Sequence, residues 1–181
     1  MAFIASNRKV PTSINAEEIS NPSELRILAK KNNISLFPFD IEALAYKLGI
    51  QILREDGEDD FSGCIEKRFD DRYYISVNKY HNIRRQRFTI AHELGHYILH
   101  RNKLNEIGRE TILMREPTAL SKIEREANDF ASELLIPKET LDAQMQSGMI
   151  KIEDLADFFN VSVPAMKYRA INLGYLRIQK W

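Results

Sequence analysis

The sequence predicts an α+β fold in which a short antiparallel sheet and a central helix are followed by a small helix-turn-helix-like tail. Residues 61–69 and 73–77 are rich in aromatic and β-branched side chains around a short acidic turn, as in an antiparallel hairpin. Residues 88–100 carry apolar side chains on nearly every side of a helix, which indicates a buried helix. Residues 150–159 and 163–173 have the spacing of two amphipathic helices joined by a short turn.

The residues before the hairpin predict two helices and one strand. Asn21 is placed to cap a helix over about residues 24–31, and Asp40 is placed to cap a second helix that ends before Gly49. A short strand is expected at residues 50–53, where the sequence becomes apolar and β-branched.

The length of 181 residues allows one well-buried domain with a small appendage. We expect a main domain of residues 1–145, with a polar and loosely ordered start of about twenty residues, and a helical tail of residues 146–181 packed on it.

Charge and cysteine content narrow the class of protein. Lys+Arg and Asp+Glu both number 26, and this zero net charge argues against a main role in binding nucleic acid or an anionic membrane. The single cysteine, Cys64, cannot form an internal disulfide. The sequence shows no secretory pattern and no apolar run near the ~18 residues of a membrane span. A cytoplasmic protein without membrane contact is therefore expected.

The predicted central helix contains an H-E-x-x-H motif, His92-Glu93-Leu94-Gly95-His96. Residues four apart lie on one helix face, so the imidazoles of His92 and His96 can converge on one metal ion. Glu93 lies about 100° further round the helix, where its carboxylate can reach a water molecule on the metal. A zinc ion lowers the pKa of such a water to roughly 7, and the carboxylate can take its proton during attack on a carbonyl.

The alternative is that the two histidines are ordinary, hydrogen-bonded polar groups of the core. Two buried imidazoles beside a buried carboxylate need a partner, however, and a metal ion supplies one. Gly95 weakens the helix, and we expect it to let another element approach beside the metal. The motif therefore predicts one Zn²⁺ ion per chain, or another divalent ion in its place.

A catalytic zinc has three protein ligands and an open position, so a third ligand is required. His100 lies two turns from His92, too far along the helix to share the ion. Glu124 falls within the apolar face of a helix predicted over residues 121–135, and it is the acid there most expected to be buried. Asn128, one turn further on, is placed to steady a ligand.

A competing interpretation of Glu124 is a helix cap. Ser121-Lys122-Ile123-Glu124 matches S-x-x-E, in which the glutamate folds back onto the start of its own helix. Both interpretations remain open on the pattern alone.

Two segments together resemble the ImmA/IrrE family of gluzincin-like metallo-endopeptidases: RQRFTIAHELGHYILH and the later EREANDFASELLIP. The resemblance extends to the hairpin segments SGCI and YISVN and to the last thirty residues. It implies a zincin-like domain with metal ligands at His92, His96 and Glu124 and a catalytic glutamate at Glu93. Because Glu124 begins the E-x-x-A-N-x-F-A segment, the resemblance favours the ligand over the cap.

The resemblance also implies a substrate. Members of the family characteristically cut a helix-turn-helix repressor of a mobile element or a stress regulon, which lifts repression. The hairpin could offer a strand edge to an extended peptide, or the edge could be purely structural. The group that would stabilise the oxyanion is not chosen by the pattern; candidates by residue type are Tyr80, His81, Arg84 and Tyr97.

The predicted tail gives the rival functions their main support. Its second helix carries Lys167, Arg169 and Asn172, which suit DNA, but its first helix is acidic. We therefore expect packing or substrate docking in preference to DNA contact. The alternatives are a DNA-binding regulator and a toxin–antitoxin-type module that binds its partner, each with a structural metal.

Overall fold

The structure, a computed structural model, describes residues 18–58, 60–104 and 117–176, with the backbone alone at residues 103 and 117–121. The predicted loose order of the first residues falls mostly on residues 1–17, which lie outside this described part.

The described residues form an α+β fold, as predicted. Its elements in chain order are α1 (Pro22–Lys31), α2 (Ile41–Lys47), β1 (Gln51–Glu55), β2 (Gly63–Lys67), β3 (Tyr73–Asn78), α3 (Ile83–Leu99), α4 (Arg101–Leu104), α5 (Pro117–Leu135), α6 (Lys138–Gln146), α7 (Ile152–Phe159) and α8 (Val163–Asn172).

The sheet is mixed, which corrects the prediction of an antiparallel sheet. The hairpin of β2 and β3 is antiparallel as expected, with Ile65 opposite Ile75. Strand β3 lies in the middle of the sheet, and β1 pairs with it in parallel. The chain runs from β1 to the far edge as β2 and then returns between them as β3. Strands β1 and β2 therefore point in opposite directions without touching each other, and β2 is an edge strand.

Short polar side chains begin several of the helices. Asn21 and Asp40 accept hydrogen bonds from backbone N–H groups three residues on, at 3.0 Å each, as predicted. Asn82 caps α3 through the backbone N–H of Arg85 at 3.0 Å, so this helix begins five residues before the predicted start. The extra residues include Arg87, which is buried and donates to the carbonyl of Phe39 at 2.8 Å.

Helix α3 lies at the centre of the molecule, against the sheet and α5. The two helices approach each other closely at Gly95. A Cβ atom there would stand 3.2 Å from the backbone of Ala127 and 3.3 Å from Cβ of Phe130. The expected close approach of another element at Gly95 is therefore present, and the element is α5.

The tail helices α7 and α8 are joined through Asn160, which takes a left-handed conformation at φ 51°. Helix α8 is held against α5 at Asp129, whose Oδ1 accepts hydrogen bonds from Tyr168 and Asn172 at 2.8 Å each. Arg169 is buried and donates to the carbonyl of Ile136 at 3.1 Å. Two of the three side chains that suited DNA thus form hydrogen bonds within the protein, Arg169 in the interior and Asn172 at the surface. The division at residues 145 and 146, within the last turn of α6, stays a prediction.

Across the described ranges, no helix combines the length and the apolar character that crossing a bilayer requires.

Candidate metal centre

Three side chains from two helices bring their ligand atoms together. Nε2 of His92 lies 3.0 Å from Nε2 of His96, and the two atoms lie 3.2 and 3.3 Å from the carboxylate oxygens of Glu124. Ligand atoms placed ~2.0–2.1 Å from a tetrahedral zinc ion are about 3.3 Å apart. Two imidazole nitrogens and one carboxylate are also a donor set that zinc accepts. The residues present therefore fit the metal that the sequence predicts.

The close helix crossing explains why these atoms converge. His92 and His96 are one turn apart on α3, so both imidazoles leave the same face. Gly95 lets α5 approach that helix closely, which carries Glu124 to within contact of both rings. The helix spacing was readable from the sequence, whereas the crossing was indicated only by the glycine.

The capping-box alternative for Glu124 does not fit the structure. Helix α5 begins at Pro117, so Ser121 lies inside the helix and has no helix start to cap. The Glu124 carboxylate instead contacts the two imidazoles. Its hydrogen bonds with His92 and His96 hold the pKa of Glu124 well below the ordinary value, so the group is a carboxylate at neutral pH.

Each histidine is held from behind through its other ring nitrogen. Nδ1 of His92 lies 3.0 Å from Oδ1 of Asn128, the residue singled out as a support in the sequence. Because an amide oxygen accepts, Nδ1 of His92 donates, and Nε2 remains the atom that faces Glu124. Burial lowers the pKa of His92. The hydrogen bond with Glu124 and the charge of Glu93 raise this pKa by a larger amount, so the net shift is upward.

His96 has a longer chain of support that sequence reasoning missed. Its Nδ1 lies 3.2 Å from Nδ1 of His100, and Nε2 of His100 lies 3.0 Å from a carboxylate oxygen of Glu126. Since a carboxylate accepts, Nε2 of His100 donates to it and Nδ1 of His100 can accept from His96. Nδ1 of His96 is thus the nitrogen held by His100, and Nε2 is the nitrogen placed to bind a metal. The regular spacing of His92, His96 and His100 was the available signal.

The side chain of Glu93 extends from α3 toward the edge strand β2. It is 7% exposed, and burial raises the pKa of its carboxyl group, with the two neighbouring imidazoles acting in the opposite direction. The backbone N–H of Ile65, in β2, donates a hydrogen bond to the carboxylate. A carboxylate so placed beside a metal position can accept a proton at neutral pH and then release it.

Three candidates for oxyanion stabilisation have other partners. The hydroxyl of Tyr80 donates to Asp56, and Arg84 forms an ion pair with Asp157 at 2.7 Å. The ring of Tyr97 lies 4.8 Å from that of Tyr73, in an edge-on contact. These contacts give no support for a role of the three residues in the site, and the group that stabilises the oxyanion stays unassigned.

Two histidines from α3 and a glutamate from α5 form a candidate His–His–carboxylate metal site, the class to which many hydrolytic zinc centres belong. Comparison with known proteins agrees with this class. Residues 45–170 match the Peptidase_M78 family, described as the IrrE N-terminal-like domain, and the chain belongs to this family. Over 106 residues it is 35% identical to Metallopeptidase ImmA of Bacillus subtilis (strain 168). That stretch spans 58% of this chain and 59% of the relative.

Proposed function

We propose that this chain is a zinc-dependent metallo-endopeptidase in which His92, His96 and Glu124 bind the metal and Glu93 acts as general base. The observation that carries the proposal is the convergence of three ligand atoms, 3.0 to 3.3 Å apart, beside a buried glutamate. Family membership and the similarity to a protein named a metallopeptidase support the same chemistry.

A bound zinc ion would polarise the scissile carbonyl and acidify the attacking water. The remaining tasks fall to the chain itself. The Glu93 carboxylate accepts a proton from the attacking water. It then gives this proton to the nitrogen of the leaving amine, so that the proton count is balanced. Its raised pKa brings the carboxyl group closer to neutral pH, where acceptance and release of a proton are both efficient.

We further propose that the substrate binds as an extended peptide along β2. This strand is at the edge of the sheet, and its Ile65 already contacts Glu93, so a peptide paired with that edge would pass the general base. The resemblance noted in the sequence favours a helix-turn-helix repressor of a mobile element or stress regulon as the natural substrate, cut in the cytoplasm.

The rival functions receive less support. A DNA-binding regulator needs free basic and amide side chains on α8, but Arg169 and Asn172 are bound to Ile136 and Asp129. A module that binds its partner without cutting it does not need a buried carboxylate beside the metal position. Mass spectrometry of the partner after co-expression separates these functions, because an intact partner mass throughout would exclude the protease.

The first experiment is elemental analysis of purified wild type, Glu93→Gln and Glu124→Ala. We expect one zinc per chain in wild type and Glu93→Gln, and loss or clear weakening of zinc in Glu124→Ala. Glu133→Ala is the matched control, because Glu133 lies on the same helix and its side chain is equally exposed, at 45%. Absence of metal in wild type after zinc is supplied would contradict the proposal.

A further inference from the structure

A cleft of about 540 Å³ opens beside the candidate metal centre. Its walls come from the first half of α3, from α5 and from the start of α8, and they include Arg85, Phe88, Asn128, Pro164, Ala165 and Tyr168. Pockets that bind small ligands measure about 300–1,000 Å³, so this cleft can receive a large side chain together with some backbone.

The cleft continues the metal centre along α3. Phe88 lies one turn before His92 on the same face of the helix, about 6 Å along its axis at 1.5 Å per residue. Asn128 belongs to both features, because it lines the cleft and its Oδ1 lies 3.0 Å from Nδ1 of His92. The cleft is therefore adjacent to the imidazole ring of His92, a candidate metal ligand.

We propose that this cleft binds a large apolar side chain of the substrate, such as leucine or phenylalanine, within two residues of the scissile bond. The proposal rests on the proposed peptidase function. An extended peptide rises about 3.3 Å per residue, so a side chain within two residues of the scissile bond can reach as far as the rise of about 6 Å from His92 to Phe88. The half-buried ring of Phe88, with Pro164 and Ala165, offers an apolar surface, whereas Arg85 at the exposed rim opposes a basic side chain.

The cleft also gives the tail a role in substrate selection. Pro164, Ala165 and Tyr168 all belong to α8, so one wall of the cleft is supplied by the tail. Tyr168 is fixed by its hydrogen bond to Asp129, at 2.8 Å, which holds this wall in place beside Asn128. Residues of α8 then determine which side chain is accepted without taking part in the chemistry.

Calorimetry with small hydroxamates tests the cleft without requiring the natural substrate. The zinc-loaded protein is titrated with acetohydroxamic acid and with the hydroxamates of N-acetylglycine and N-acetylleucine. The hydroxamate group anchors each compound on the metal, and only the leucine compound carries a side chain for the cleft. We expect it to bind about ten times more tightly than the glycine compound, or better.

Two variants tie that preference to the cleft. Ala165→Phe fills it and is expected to reduce the leucine preference to less than about threefold. Phe88→Ala removes an apolar wall and should also reduce the preference, which keeps the test intact if Ala165→Phe does not fold. Lys167→Phe, on the exposed side of the same helix, is the control and should leave the preference unchanged.

The outcomes separate the two proposals. If both amino-acid hydroxamates bind with equal affinity, the cleft proposal is overturned while the metal centre stands. The same holds if the leucine preference survives in folded Ala165→Phe and Phe88→Ala proteins. If acetohydroxamic acid does not bind the zinc-treated protein at all, the metal centre fails, and the cleft proposal fails with it.

Discussion

Nδ1 of His100 lies 3.2 Å from Nδ1 of His96, so the ring behind the candidate metal ligand is itself a histidine. His100 is buried and passes the contact on to Glu126 at 3.0 Å. A ligand whose second nitrogen is held in this way has a fixed ring orientation and a fixed site for its proton. The arrangement assigns His100 a positioning role without direct contact to the metal position.

His100→Ala is therefore expected to weaken zinc binding by about 10- to 100-fold, because His96 loses its orienting partner. His100→Asn, which keeps a polar group, should restore part of the affinity. Competition with a chromophoric chelator measures the change. Leu99→Ala, at an exposed neighbouring position on α3, is the control. Equal zinc affinity in wild type and His100→Ala would show that the contact with His96 has no role in metal binding.

Glu93 and Glu124 should affect the stability of the metal-free protein with opposite signs. Burial raises the pKa of Glu93 in the folded protein. The stabilising contribution of Glu93 to the free energy of unfolding is therefore fully present below the ordinary pKa of 4.5, and it is lost as pH rises through the folded pKa. The folded pKa of Glu124 is lowered by its hydrogen bonds with His92 and His96. Its contribution is present above 4.5 and is lost as pH falls.

Urea denaturation in the presence of a chelator checks these signs. Relative to wild type, Glu93→Gln should gain stability as pH rises above about 4.5 and then level off. Glu124→Gln should lose stability relative to wild type near neutral pH, and the loss should shrink as pH falls below about 4.5. Parallel stability curves for Glu93→Gln and wild type across pH 4 to 8 would contradict the assignment for Glu93.

Gly95→Ala tests the close crossing of α3 and α5. Alanine favours a helix over glycine by about 1 kcal/mol, so an isolated helix would gain stability. Here the new Cβ would stand 3.2 Å from the backbone of Ala127, and the helices must separate slightly. We expect a net loss of about 1–2 kcal/mol, together with weaker zinc binding because Glu124 moves with α5. Denaturant unfolding and zinc titration measure both effects, and a stabilised variant would contradict the crossing.

Asp129→Ala tests the attachment of the tail. The substitution removes the acceptor of two hydrogen bonds, from Tyr168 and Asn172, and should cost about 1–3 kcal/mol of unfolding free energy. If α8 forms the cleft wall, the same variant should also lose part of its preference for the leucine hydroxamate. The double variant Tyr168→Phe, Asn172→Ala should reproduce the loss of stability, and Asp129→Ala should then add little to it.

Much of the fold was predictable where the cause is local. Asn21 and Asp40 cap their helices through atoms only three residues away, and the hairpin of β2 and β3 follows from one stretch of sequence. The parallel pairing of β1 with β3 has no local cause, because strand partners are chosen by the whole sheet. The start of α3 was placed too late because its first turns are rich in arginine, and apolar periodicity does not detect such residues.

The candidate site was likewise predictable only where its features depend on a single helix. The spacing of His92 and His96 placed both rings on one face, and the apolar wheel of α5 singled out Glu124. The same wheel put Glu126 on the far side of its helix, but its long side chain reaches His100 at the end of α3. A wheel describes one helix alone, and a contact between two helices depends on how they cross. The cleft likewise requires α8, whose position no sequence pattern specified.

The ligand atoms of the candidate centre come from two separate helices, with imidazoles on α3 and a carboxylate on α5. An ion held there would act as a cross-link, and its binding free energy would add to that of folding. A free zinc concentration a hundredfold above the dissociation constant adds about 2.7 kcal/mol to the free energy of unfolding, a large share of the stability of a typical domain. Zinc starvation would then shorten the lifetime of the protein in the cell by exposing it to degradation, in addition to stopping its catalysis.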